Sequence, residues 1–237
     1  MKTPMFNLII CIILFPPNIA FAEKNKSSLN RCQANGDRTE VFIRTVDQGY
    51  RVNNKLTSRS LNMRSHNSYT GDYVIGLTSI ESKTVFDVNG EVWDDWPTGG
   101  ECFAPKIRIQ LIYNPIDVFI GSEFREGSCT FNTILEHEME HVKLYRESLI
   151  TIETTIKEWM ALRFQGKPIY GTKGTTRQAL DAEIDNLWRP LIKAELAKLQ
   201  IRQNEIDSEE KIDKVTWSCS GEIQNKFGFS FQGSRYH

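Results

Sequence analysis

From Thr130 to about Gln165 the chain carries neither proline nor glycine, and Ile134, Val142, Tyr145, Leu149, Ile152, Ile156 and Trp159 follow a three-to-four-residue period. That unbroken period predicts a long helix whose apolar stripe must be buried against a partner surface. Gly166 and Pro168 stop it. Thr175 followed by Gln178 reads as a capping box for a second helix. Leu180, Ile184, Leu187, Trp188, Leu191, Leu196 and Leu199 line one side of that helix, and Pro190 is expected to kink or split it. Two long amphipathic helices joined by a loop of about ten residues predict an antiparallel pair.

Upstream the period changes to two. Thr39–Val46, Tyr73–Ile80, Thr84–Val88 and Glu91–Trp93 read as strands, the last two joined by a hairpin turn at Asn89-Gly90. Lys106–Tyr113 and Asp117–Ile120 read as a second hairpin turning at Asn114-Pro115, and the polar stretch Asn53–Tyr69 as a loop or short irregular helix. The expected fold class is α+β: an N-terminal antiparallel β region (38–121) packed with a C-terminal antiparallel pair of long helices (130–206), followed by an aromatic, cysteine-containing tail (215–237). A single domain, 23–237, accommodates all of it.

Residues 1–22 have the order of an export signal: Lys2, the apolar run Phe6–Phe15, Pro16-Pro17, then Ala20-Phe21-Ala22, with cleavage expected after Ala22. The run is shorter than the roughly 20 residues that span a bilayer, so a periplasmic or secreted protein without a stable membrane anchor is expected. With 29 Lys+Arg against 30 Asp+Glu the net charge is −1, which lacks the basic excess of a nucleic-acid binder. Cys11 leaves with the leader. Cys32, Cys102, Cys129 and Cys219 remain, an even number that in an exported chain predicts two disulfides. The second hairpin would set Cys102 nearly opposite Cys129, leaving Cys32 to pair with Cys219.

Residues 137–141 read His-Glu-Met-Glu-His, the HExxH pattern, expected only about 0.005 times by chance in a chain of this composition. On a helix, positions i and i+4 share a face, so His137 and His141 can offer two imidazoles to one cation. Neutral imidazole nitrogen suits zinc, and Glu138 beside the first ligand is placed to take a proton from zinc-bound water. The bland alternative is a solvated pair of histidines on an acidic helix stripe, flanked by Glu136 and Glu140.

The short motif fixes no third ligand. The extended form HExxHxxGxxH fails, because Leu144 and Glu147 stand at its glycine and third histidine. Gly171-Thr172 is followed by no aspartate at the spacing of a Gly-Thr-x-x-Asp ligand segment. By elimination a carboxylate on the second helix is expected, the gluzincin arrangement. Folding that helix back on the first sets 199–203 opposite the motif. Glu195, one turn away among Trp188, Leu191, Ile192 and Leu199, is the first choice, with Glu183, Asp185 and Glu205 as reserves. The rival reading of Glu195 is a boundary residue whose stem packs while its head reaches water. Tyr145, one turn beyond His141, can donate to a developing oxyanion, although a tyrosine there more often packs. His66 and His237 read as solvated.

The sequence resembles a bacterial family described as predicted secreted zinc-dependent proteases, a domain of unknown function. The likeness is carried by Tyr73–Thr78 (Tyr-Val-Ile-Gly-Leu-Thr), by the strands around Cys102, and by Ile120 through Gly127-Ser128-Cys129 to Leu135–His141 and Tyr145-Arg146. The resemblance implies His137 and His141 as ligands and Glu138 as catalytic base. The function expected is therefore that of an exported zinc metallohydrolase, a peptidase whose substrate is a peptide or a cell-wall peptide. The alternative is a non-catalytic periplasmic or secreted binding protein with a structural or vestigial metal site.

Overall fold

The structure is a computed structural model that describes residues 31–65, 73–95 and 98–227. The expected leader with its expected cleavage site, His66 and His237 lie outside the described residues. The fold is α+β, as expected. Strands β1 (Glu40–Asp47), β4 (Ser82–Asp95), β5 (Gly100–Tyr113) and β7 (Ile169–Thr172) form one sheet; β2 (Tyr50–Asn53), β3 (Gly76–Ser79) and β6 (Ile116–Ile120) form a second. Helix α1 (Ser58–Arg64) occupies part of the polar stretch between β2 and β3.

The two sheets continue one another. The larger runs β1-β5-β4 and the smaller β2-β6-β3, so that each small-sheet strand prolongs a strand of the larger sheet. The three crossings lie side by side: Gln48 N donates to Tyr113 O at 3.3 Å, Asn114 N to Glu81 O at 3.0 Å, and Ile116 N to Gly49 O at 2.8 Å. This arrangement corrects the second expected hairpin. Asn114-Pro115 does not reverse the chain but carries it from one sheet into the other, where β6 pairs with β2 in parallel and with β3 in antiparallel fashion. Proline suits such a crossing because it supplies no N–H to a ladder. The first expected hairpin is corrected too. β4 runs straight through Asn89-Gly90, which pair with Lys106 and Pro105 of β5. At Gly90 (φ +143°) a Cβ would lie 2.2 Å from Ala104 O, so glycine is required there by close approach rather than by a turn. Nor is the β region wholly antiparallel, since β1 pairs with β5 in parallel.

The disulfide pairing follows from that topology. With β6 directed into the smaller sheet, Cys129 is not brought across from Cys102. The bonds are Cys32–Cys102 and Cys129–Cys219, with Cα separations of 5.6 and 5.8 Å. The first ties the start of the described chain to β5. The second ties the tail to the first turn of α2 (Cys129–Phe164), the predicted long helix.

The side chain of Ser128 caps α2 by accepting from Phe131 N at 3.2 Å. The second helix comes in pieces: α3 (Thr176–Glu183), a π-turn (Ile184–Trp188) and α4 (Arg189–Ile206). The π-turn lies just ahead of Pro190 and absorbs the break in the hydrogen-bond ladder that proline imposes. The expected capping box does not form at Thr175. Buried Glu101 of β5 does that work, accepting from Gly174 N (2.7 Å), Thr176 N (2.9 Å) and Thr176 Oγ1 (2.7 Å). The helices are antiparallel: Arg163 bonds Glu183, Ser148 accepts from Arg202, and His141 meets Gln203.

Leu149, Ile152, Ile156, Met160 and Phe164 of α2 bury against Ile107, Ile109, Leu111 and Tyr113 of β5 and against Leu180, Ile184, Trp188 and Ile192. Nearer its start, Val142 packs on Ile116 and Val118, and Phe131 and Ile134 pack on Ile120 and Phe124. The motif therefore rides on a helix anchored along its length to both sheets. Helices α5 (Glu209–Thr216) and α6 (Glu222–Phe227) follow α4. Among the described residues no helix is long and apolar enough to cross a membrane.

Candidate metal centre

His137 and His141 lie one turn apart on α2 with ring centroids 5.1 Å apart and planes at 78°. Their side chains are only 9% exposed, which removes the reading of a solvated surface pair. Facing them, at the point where α4 ends, stands Asp207. Its Oδ1 lies 3.2 Å from His137 Nε2 and 3.0 Å from His141 Nε2. One turn earlier, buried Gln203 places Oε1 2.6 Å from His141 Nδ1.

These contacts define a candidate cation site. The Gln203 amide oxygen only accepts, so His141 Nδ1 carries a proton and the other ring nitrogen is free to bind. A lone pair on Nε2 and a carboxylate oxygen 3.0 Å away repel unless positive charge lies between them. The surrounding charges favour positive charge at this point, a proton on His141 included. Burial pushes His141 down, yet Asp207, Gln203 and the charge of Glu138 raise it above the ordinary imidazole value. Burial pushes Asp207 up, yet the two histidines hold it far below the usual carboxylate range. The three donor atoms lie within 4.8 Å of one another. A tetrahedral zinc with bonds of 2.0–2.1 Å sets its ligand atoms about 3.3–3.4 Å apart, close to the two Asp207 separations. The residues thus fit a zinc ion held by His137 Nε2, His141 Nε2 and Asp207 Oδ1.

Glu138 follows the first histidine and is 5% exposed. Thr78 Oγ1 donates to its Oε2 at 2.7 Å. Burial raises its pKa above the ordinary glutamate value, against the opposing pull of the Thr78 bond and both imidazoles and with the added repulsion of Asp207. A buried carboxyl with raised proton affinity beside two imidazoles is equipped for proton transfer.

None of the four carboxylates expected from sequence joins the cluster, and three of them are otherwise engaged. Glu195, half-buried, pairs with Lys198 at 2.6 Å. Glu183 accepts from Arg163 (2.8 Å) and Trp188 Nε1 (3.0 Å), Asp185 accepts from Arg189 (2.9 Å), and Glu205 is exposed. Among the described residues, the cluster contains His137, His141 and Asp207 alone. Folding the helices together set residues 199–203 opposite the motif, and Gln203 of that window meets His141; the carboxylate lies one turn further along the chain, not one turn back. The signal available in the sequence is that Gln203 and Asp207 repeat the i, i+4 spacing of the two histidines. Tyr145 packs edge-on against Tyr113 with ring centroids 6.3 Å apart. Burial and the Asp207 charge both push its hydroxyl pKa up.

Compared with protein-family models, with curated proteins and with solved structures, the chain finds no match, so these side chains carry the functional reading alone.

Proposed function

We propose that the protein is an exported zinc-dependent metallohydrolase, a peptidase acting on an amide bond of a protein or of a cell-wall peptide. The observation that supports it is the meeting of Asp207 Oδ1, at the end of α4, with His137 Nε2 and His141 Nε2 on the helix that also carries buried Glu138. Zinc in that cage would acidify water toward neutral pH and polarise a carbonyl. Glu138 takes up the proton released by the attacking water and returns it to the departing amine. Its burial raises its affinity for that proton. Gln203 keeps the His141 ring oriented while this happens. Export is supported by the leader-like residues 1–22 and by the two disulfides, which persist in oxidising compartments.

Elemental analysis of the purified mature protein tests the reading. About one zinc per chain is expected, removable by a chelator and absent in His137→Ala. Glu138→Gln keeps the metal and loses turnover on a broad peptide panel. Full occupancy without hydrolysis on that panel supports a metal-binding protein without turnover instead. Undiminished activity in Glu138→Gln overturns the role given to Glu138.

A further inference from the structure

The Tyr-Val-Ile-Gly-Leu-Thr run enters β3, whose Thr78 bonds Glu138. Gly76 and Thr78 lie opposite Ile120 and Val118 of β6, and alternate residues of a strand share a face. Here that face meets α2 at Glu138. A Cβ at residue 76 would stand 2.3 Å from Glu138 Oε1, 3.0 Å from its Cδ and 2.7 Å from Ile134 Cγ2. The carboxylate occupies the room that the missing side chain leaves. Thr78 Oγ1 lies 2.7 Å from Oε2 and 3.3 Å from the Glu138 carbonyl oxygen. Oε1 has no protein hydrogen-bond partner among the described residues, on a side chain that is buried at 5% exposure. Among the described residues one oxygen is held by Thr78 and the other has no donor.

We infer that Gly76 and Thr78 are positioning residues for Glu138, fixing Oε2 so that Oε1 is the atom that exchanges the proton. The work given to Oε1 rests on the hydrolase reading; the placement of the carboxylate does not. Thr78 is β-branched and restricted in χ1, so its hydroxyl is a rigid donor on a strand anchored to β6. Any side chain at residue 76 must displace the carboxylate or part β3 from α2.

The test compares zinc-loaded wild type with Thr78→Val, Thr78→Ser and Gly76→Ala. Zinc affinity, read by chelator competition, should stay within about twofold in the Thr78 pair, since neither change touches a ligand. Crystal structures of the zinc forms should show the Glu138 carboxylate turned away in Thr78→Val and restored in Thr78→Ser. On fluorogenic peptides cleaved by the wild type, kcat should fall about tenfold or more in Thr78→Val with KM unchanged, and Thr78→Ser should recover it. An unmoved carboxylate or an unchanged kcat in Thr78→Val overturns the inference. Should the wild type cleave nothing, the hydrolase reading falls with it and the assignment of Oε1 goes too, while the crystal structures still decide whether the pair places the carboxylate. Should Gly76→Ala fail to fold, the two Thr78 variants decide.

Discussion

Gln203 joins the second helix to the first through two hydrogen bonds on one residue, meeting His141 Nδ1 at 2.6 Å and donating to the His141 carbonyl at 3.4 Å. Outer partners of this kind orient a ligand and select its tautomer. Gln203→Ala should therefore weaken zinc binding by about 10–100-fold. Gln203→Glu, which keeps an acceptor at Nδ1, should lose less. A competition titration with a chromogenic chelator reads both.

Asp207 and Glu195 separate two accounts of the site. Asp207→Ala should lose zinc by more than about 100-fold, beyond what an outer partner commands. Glu195→Ala should bind zinc like the wild type, because that carboxylate already pairs with Lys198. Equal loss in the two variants, measured in the same titration, would overturn the assignment of Asp207.

Glu101 makes the fold sensitive to acid. Burial pushes its carboxyl up, but the Thr176 hydroxyl and the N–H groups of Gly174 and Thr176 together hold it below the ordinary glutamate value. The unfolded chain binds the proton more readily than the folded one, so stability rises with pH across the interval. The contribution is present above the ordinary glutamate range and is lost as pH falls through the depressed folded value. Glu101→Gln should cost about 1–2 kcal/mol at neutral pH through the damaged helix start. Its urea midpoint should also fall less steeply than the wild type's between pH 6 and pH 3.

The two disulfides differ in access. Cys32 and Cys102 are buried at 0% and 1% exposure, whereas Cys129 is exposed. Under graded reductant with alkylation and mass spectrometry, Cys129 and Cys219 should be labelled before Cys32 and Cys102. Replacing both Cys32 and Cys102 by serine should lower stability by about 2–4 kcal/mol.

Much of the helical half was legible because a helix is a local object. The period of three to four, the missing breakers and the stop at Gly166 and Pro168 set α2 almost to the residue. HExxH was legible for the same reason, since an i, i+4 spacing fixes a shared face whatever surrounds it. The β half was harder, because a strand is completed by a partner that its own sequence does not name. Asn89-Gly90 carries a hairpin signal yet sits inside β4, where close approach of Ala104 O demands glycine. The choice of cysteine partners and the opening of the helix pair by Glu101 rather than by a capping box are likewise contacts between distant segments.

What the sequence by itself determined is the class of the fold, the long helix, and the two imidazoles and the carboxyl that it presents. What only the tertiary structure decided is which acid meets the two imidazoles and what holds Glu138. Asp207 lies beyond the last periodic apolar residue, marked only by its i, i+4 spacing from Gln203. It reaches the histidines because the π-turn and the antiparallel packing end α4 opposite them. Gly76 and Thr78 meet Glu138 because three strands cross together from one sheet into the next and set β3 against α2. Local periodicity specifies a face. Packing between segments far apart in the chain specifies what that face meets.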